Sequence, residues 1–185
     1  PAGGARDDVT DAPRMLTGSE TSDEQPIEGA CEFVARHGAA SAAATSERTL
    51  LVYGDSLSAA YGLRVDQGWV ALLQKRLEEQ GYGYRVVNAS VSGETTSGGK
   101  ARLERALAQH QPDVVVLELG ANDGLRGLPV AAARSNLEAM IEVIRASGAR
   151  LLLIGIEMPP NYGVQYAKAF SAMYGELAKA QKLPL

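Results

Sequence analysis

The sequence predicts a three-layer α/β/α domain built on a parallel, flavodoxin-like sheet. From Thr49 onward, short apolar runs alternate with amphipathic stretches, the rhythm of successive β-α units. One run, Val114-Val115-Val116-Leu117, is almost uninterrupted, as a strand buried on both faces requires. Turns rich in Gly, Ser, Asn and Asp follow the carboxyl ends of the first three runs. The chain has room for one ordinary α/β domain and not comfortably for two.

The elements follow in order. Pro1 to roughly Arg48 lacks sustained periodicity and is dense in small and acidic residues, so 1–48 is expected to be a disordered or linker-like arm and 49–185 the domain. Ala42-Ala43-Ala44 resembles the small-residue end of a secretory signal. Glu32, Arg36 and His37 interrupt the apolar core that such a signal needs, which favours a flexible tail. A first residue that is Pro rather than Met suggests a fragment or a processed product.

Thr49 to Tyr53 reads as the first strand. Trp69 to Gln80 gathers Val70, Leu72, Leu73 and Leu77 on one side and reads as a helix ended by Gly81. Tyr84 to Asn88 is a second strand, and Gly98 to His110 a helix by its Leu103, Ala106 and Leu107 spacing. After the Val114–Leu117 strand, Pro129 is placed for the first turn of a helix running to about Ala146, with Leu137, Met140, Ile141 and Ile144 inward. Leu151 to Ile154 is a fourth strand. A Pro-rich loop then leads to a helix through Tyr166, Phe170, Met173, Tyr174 and Leu177, and Leu183-Pro184-Leu185 reads as the opening of a fifth strand.

Composition excludes several function classes. The net charge is −4, yet nine acids and four arginines lie before Thr49, leaving the domain near neutral with no basic stripe for nucleic acid. No uncharged apolar run is long enough to span a membrane. Cys31 is the single cysteine, so no intrachain disulfide can form, and two distant histidines give no metal-ligand spacing.

Chemistry concentrates at three strand-end turns: Gly54-Asp55-Ser56, Asn88 to Thr95, and Glu118 to Gly124. Parallel topology puts all three on one sheet edge, where α/β proteins bind ligands, so Ser56, Gly93 and Asn122 can converge. Acyl transfer needs such a set: a hydroxyl to attack the carbonyl carbon and preorganised N–H donors for the oxyanion. Asp55 is placed to accept from N–H groups of its own turn, and Glu94 and Asp123 read as solvated or hydrogen-bonded loop acids. A rival phosphate-loop reading of Gly93 to Lys100 fails. Six residues, not five, separate Gly93 from Lys100, and Ala101 supplies no hydroxyl for Mg²⁺. Neither Gly-x-Gly-x-x-Gly nor Gly-x-Ser-x-Gly occurs.

Gly54-Asp55-Ser56-Leu57-Ser58, the Gly93 turn and Gly120-Ala121-Asn122-Asp123 resemble the first three blocks of the SGNH (GDSL) hydrolases. Asn88 to Leu103, Gln109 to Asp113, Glu118 to Gly127 and Pro159 to Gly163 resemble the group of multifunctional thioesterases, proteases and lysophospholipases, also called arylesterases, within it. The resemblance spans Thr49 to Leu185. It implies Ser56 as nucleophile, with an oxyanion hole made by the backbone N–H groups of Ser56 and Gly93 and the Asn122 amide. It implies a substrate surface drawn from Asp55, Leu125, Met158, Pro159 and Tyr162, and no cofactor. It further implies a monomer acting on acyl esters or thioesters, and a periplasmic or secreted location.

The family's fourth block, Asp-x-x-His, supplies the base and its orienting acid, and no His follows His110 here. His110 ends the second helix of the domain, a strand length of roughly 20 Å from Ser56. His37 could reach across an extended span on the order of 40 Å, but nothing in the sequence holds it in place. The expectation is therefore a truncated, nearly inactive piece of a hydrolase whose base lies beyond Leu185. The other reading is a non-catalytic module that holds a carboxylate or acyl group in the same pocket.

Overall fold

The computed structural model describes residues 24–38 and 48–185. Its centre is a four-stranded sheet of β1 (Arg48–Gly54), β2 (Tyr84–Asn88), β3 (Val114–Glu118) and β4 (Arg150–Leu153), in the order β2-β1-β3-β4. Every pair is parallel, with Leu51 opposite both Val87 and Val115, and Leu117 opposite Leu153. This is the doubly wound arrangement that the alternating sequence predicts, with its switch point between β1 and β3.

Strand periodicity sorts the core into two layers. Leu51, Tyr53, Val115, Leu117, Leu151 and Leu153 face α3 (Thr96–His110), α5 (Val130–Ala146) and α6 (Val164–Gln181). Leu50, Val52, Val114, Val116 and Leu152 face the opposite layer, α2 (Trp69–Glu79) and α1 (Glu24–Gly38). Among the described residues no helix is long and apolar enough to cross a membrane.

α1 corrects one expectation. Residues 24–38 lie in the segment read as a linker-like arm, yet they form a helix that buries Ile27, Ala30, Cys31, Phe33 and Val34 against that second layer. The spacing of Ile27, Ala30, Cys31 and Val34 is helical, but small and charged neighbours mask it, and the sheet supplies what the isolated segment lacks. The rest of the proposed arm, residues 1–23 and 39–47, lies outside the described residues.

Two smaller differences follow from local chemistry. α3 starts two residues earlier than its apolar spacing suggests, because the Thr95 side chain accepts from the Gly98 N–H at 3.3 Å and caps the helix. Leu183 to Leu185 form no fifth strand; the Pro184 ring has no N–H to give a ladder, and its carbonyl accepts from Leu153 N–H at 3.3 Å. The short α4 (Ala121–Leu125) was not foreseen either, being too brief to show a period.

Candidate active site

The three strand-end turns meet at the carboxyl edge of β1, β2 and β3 as expected, and named hydrogen bonds tie them together. The Val91 N–H donates to Gly54 O at 3.0 Å, fastening the second turn to the end of β1. Asp55, wholly buried, accepts from Leu57 N–H at 3.0 Å through one oxygen and from Asn122 Nδ2 at 3.1 Å through the other. The first bond folds the turn so that Ser56 stands at its corner; the second fixes the Asn122 amide beside it.

Ser56 is half-exposed, and among the described residues no side chain bonds to its hydroxyl. Its backbone N–H and that of Gly93 likewise have no protein acceptor among the described residues. Gly93 has φ +78°, a left-handed conformation that a side chain would strain. Its carbonyl accepts from Arg126 Nη2 at 3.0 Å, which holds the peptide from its far end.

Asn122 is more constrained than the sequence suggests. Its Nδ2 also donates to Glu94 O at 2.9 Å, so both amide hydrogens have acceptors. Glu94 is itself fixed, its carboxylate bound to Arg102 Nε at 2.6 Å, while Arg102 Nη1 donates to Ala89 O at 2.7 Å. Asp123 is buried and accepts from both the N–H of Thr96, at 2.8 Å, and its hydroxyl, at 2.6 Å, anchoring α3 to the third turn. Glu94 and Asp123 are hydrogen-bond acceptors, as read from the sequence, rather than free bases.

The expected substrate residues separate into two sets. Leu125, at the end of α4, and Pro159 and Tyr162, beyond β4, are exposed on segments leaving this edge, where Leu57, Tyr61 and Val91 are exposed as well. Met158 and Asp55 are not surface residues. Met158 is 7% exposed, and its sulfur sits so close over Gly124 that a Cβ there would lie 2.9 Å from its methyl carbon. Asp55 bonds to Asn122 and its own turn, so its place is behind the site and not against a substrate.

Neither histidine is bonded into the three turns among the described residues. His110 closes α3, at the opposite edge of the sheet. His37, in the last turn of α1, has Nδ1 3.0 Å from Phe33 O and its ring against that of Phe33.

Sequence reasoning missed Glu118, which reads merely as the last residue of a strand. It is 4% exposed. Burial first, and then the neighbouring Asp55 carboxylate, push its carboxyl up to about 8, outweighing the hydrogen bonds it accepts. Burial likewise raises Asp55 above the ordinary carboxylate range, against donation from Leu57 and Asn122. A cavity of about 800 Å³ lies between α1 and the β4 side of the sheet; Phe33, Leu57, Trp69, Glu118 and Ile154 are among its walls. The site's electrostatics are therefore those of two crowded, desolvated carboxyls behind a neutral serine turn.

Residues 52–185 match the GDSL-like Lipase/Acylhydrolase family. Esterase TesA of Pseudomonas aeruginosa is 58% identical over 138 residues, which cover 75% of this chain and 69% of that protein. Thioesterase 1/protease 1/lysophospholipase L1 of Escherichia coli K12 is 44% identical over 142 residues, 77% of this chain and 67% of the other. Among solved structures, the psychrotrophic esterase EstA from Pseudoalteromonas, inhibited by monoethylphosphonate, superposes with a TM-score of 0.71 at 43% identity, covering 75% of each chain.

Proposed function

This chain belongs to the GDSL-like lipase/acylhydrolase family, and on that premise we propose that it hydrolyses carboxylic esters and acyl thioesters through an acyl-serine at Ser56. The observation that carries the proposal is a hydroxyl with no protein partner, on a turn fastened to the Gly93 turn, with the backbone N–H groups of Ser56 and Gly93 also without protein acceptors among the described residues. Ser56 Oγ attacks the acyl carbon, the carbonyl oxygen takes the negative charge, and those N–H groups receive it. The tetrahedral species expels the alcohol or thiol, leaving the acyl group on Ser56, and water then repeats the attack on the acyl carbon.

Asn122 supplies the third donor. Because Asp55 and the Glu94 carbonyl occupy both its amide hydrogens, substrate takes the place of one acceptor, and Asp55 keeps the amide aimed. The exposed Leu57, Leu125 and Tyr162 offer an apolar rim for the acyl chain. Among the described residues neither histidine hydrogen-bonds to Ser56, so the proposal assigns the general base to neither.

The thioester and lysophospholipid activities in the relative's name support the substrate class. The test is turnover of p-nitrophenyl butyrate and an acyl-CoA by the full-length protein. Loss of both with Ser56→Ala is expected, and unchanged turnover in that variant refutes the assignment. A monomer in a periplasmic or secreted location belongs to the same proposal; light scattering and cell fractionation test it.

A further inference from the structure

We propose that Glu118 is a positioning residue for Ser56, its buried carboxyl holding the turn from Gly54 to Ser58 in the shape that presents the serine hydroxyl. The inference rests on the reading of Ser56 as nucleophile. Glu118 Oε2 accepts from Ser58 Oγ at 2.7 Å and lies 3.5 Å from the backbone nitrogen of Asp55. Those two residues bracket Ser56, so one carboxyl oxygen grips the turn on both sides of the nucleophile. Ser58 is tied a second time, its carbonyl accepting from Asn88 Nδ2 at 2.7 Å.

The seat is closely fitted. Gly54 pairs directly with Glu118 across the sheet, and a Cβ on it would lie 2.7 Å from Glu118 Oε2 and 2.8 Å from Ser58 Oγ. Only glycine admits the carboxyl beneath the turn. Glu118 Oε1 is buried without a hydrogen-bond partner among the described residues. A carboxyl in such a place is unfavourable for folding, and an apolar side chain would fill it with less penalty. What the apolar side chain cannot do is accept from Ser58 and Asp55 at once.

On the same proposal Glu118 carries its proton when the site works. With the proton on Oε1, Oε2 remains the acceptor that the turn needs, and the raised carboxyl of about 8 is consistent with that form near neutrality. Loss of the proton sets a second negative charge beside Asp55, behind the position where the oxyanion develops. The other ionisable groups around it are Asp123 of α4, Tyr174 of α6 and Glu157 beyond β4, with Glu32, Arg36 and His37 of α1 along the shared cavity. None of these hydrogen-bonds Glu118 among the described residues.

The test compares wild type, Glu118→Gln, Glu118→Ala and Ser58→Ala in the full-length protein, using p-nitrophenyl butyrate turnover and a fluorophosphonate that labels the serine. Glu118→Gln keeps an acceptor oxygen and should stay within about threefold of wild-type kcat. Glu118→Ala should lose roughly 10–100-fold in kcat and in labelling rate with KM little changed, the scale of a nucleophile displaced by a fraction of an ångström. Ser58→Ala, which cuts the same bond from the other side, should shift in the same direction even if the alanine at 118 prevents folding. Wild-type kcat should also decline above about pH 8, and Glu118→Gln should not.

Equal kcat in Ser58→Ala and wild type, or an alkaline decline that persists in Glu118→Gln, overturns the positioning role while leaving the nucleophile in place. Wild type that is never labelled at Ser56 overturns the nucleophile reading instead.

Discussion

Replacing Glu118 with Gln should make the protein's stability less dependent on pH, by an amount fixed by the burial of that carboxyl. Unfolded, the group ionises near 4.5; folded, it keeps its proton to about 8. Between those values the folded state binds more protons than the unfolded one, so this group's contribution to stability is fully present below pH 4.5 and is lost as pH rises toward 8. A full proton's difference is worth about 1.36 kcal/mol per pH unit, and the group falls a little short of that at both ends of the window, so from pH 5 to 7.5 wild type loses roughly 3 kcal/mol through Glu118. Asp55, also raised by burial, contributes in the same direction.

Subtracting the variant removes that background. Urea unfolding of wild type and Glu118→Gln, followed by the fluorescence of the single, buried Trp69, gives the difference at each pH. Glu118→Gln should gain on wild type by roughly 3 kcal/mol between pH 5 and 7.5. A difference that stays constant across that range refutes the claim that Glu118 is buried in its neutral form.

Two further outcomes probe separate parts of the structure. Asp55→Asn presents an amide to the Asn122 amide in place of a carboxylate and should lower kcat by roughly 10–100-fold; steady-state kinetics at wild-type activity would remove Asp55 from its role in aiming Asn122. Phe33→Ala in α1 should destabilise the protein by about 3 kcal/mol, since Phe33 is 6% exposed within the core. A denaturation midpoint equal to wild type would mean that α1 leaves the sheet in solution.

The parts of the fold that read easily from sequence are those whose signal is local. Val114 to Leu117 is apolar without a break because both faces of β3 are covered, and the β1 and β4 runs share that cause. The meeting of the three turns read from sequence for a similar reason. Parallel topology sends every strand-end turn to one edge, which is why Asn122 finds Asp55 and the Glu94 carbonyl within hydrogen-bond reach.

What did not read depends on partners distant in sequence. Five buried residues of α1 find their apolar surface on strands that begin only at Arg48, and a window over 24–38 contains too little hydrophobic contrast to show it. Glu118 looks like a polar stop at the end of a strand; its meaning comes from Ser58, sixty residues earlier. Met158 reads as a loop residue after a strand, and only its packing in the core layer beside Gly124 shows otherwise. Asn122 shows the same limit at the scale of one side chain, because a sequence gives the amide but not the Asp55 and Glu94 oxygens that already occupy it.

On the proposed function, Ser56 is a nucleophile backed by its own oxyanion hole. Intact-mass analysis of the full-length protein after treatment with a fluorophosphonate, with peptide mapping of the adduct, tests it most directly. A single covalent phosphonyl group on Ser56 is expected, absent from Ser56→Ala and formed more slowly in Asn122→Ala. An unmodified protein, or an adduct on another residue, would contradict it.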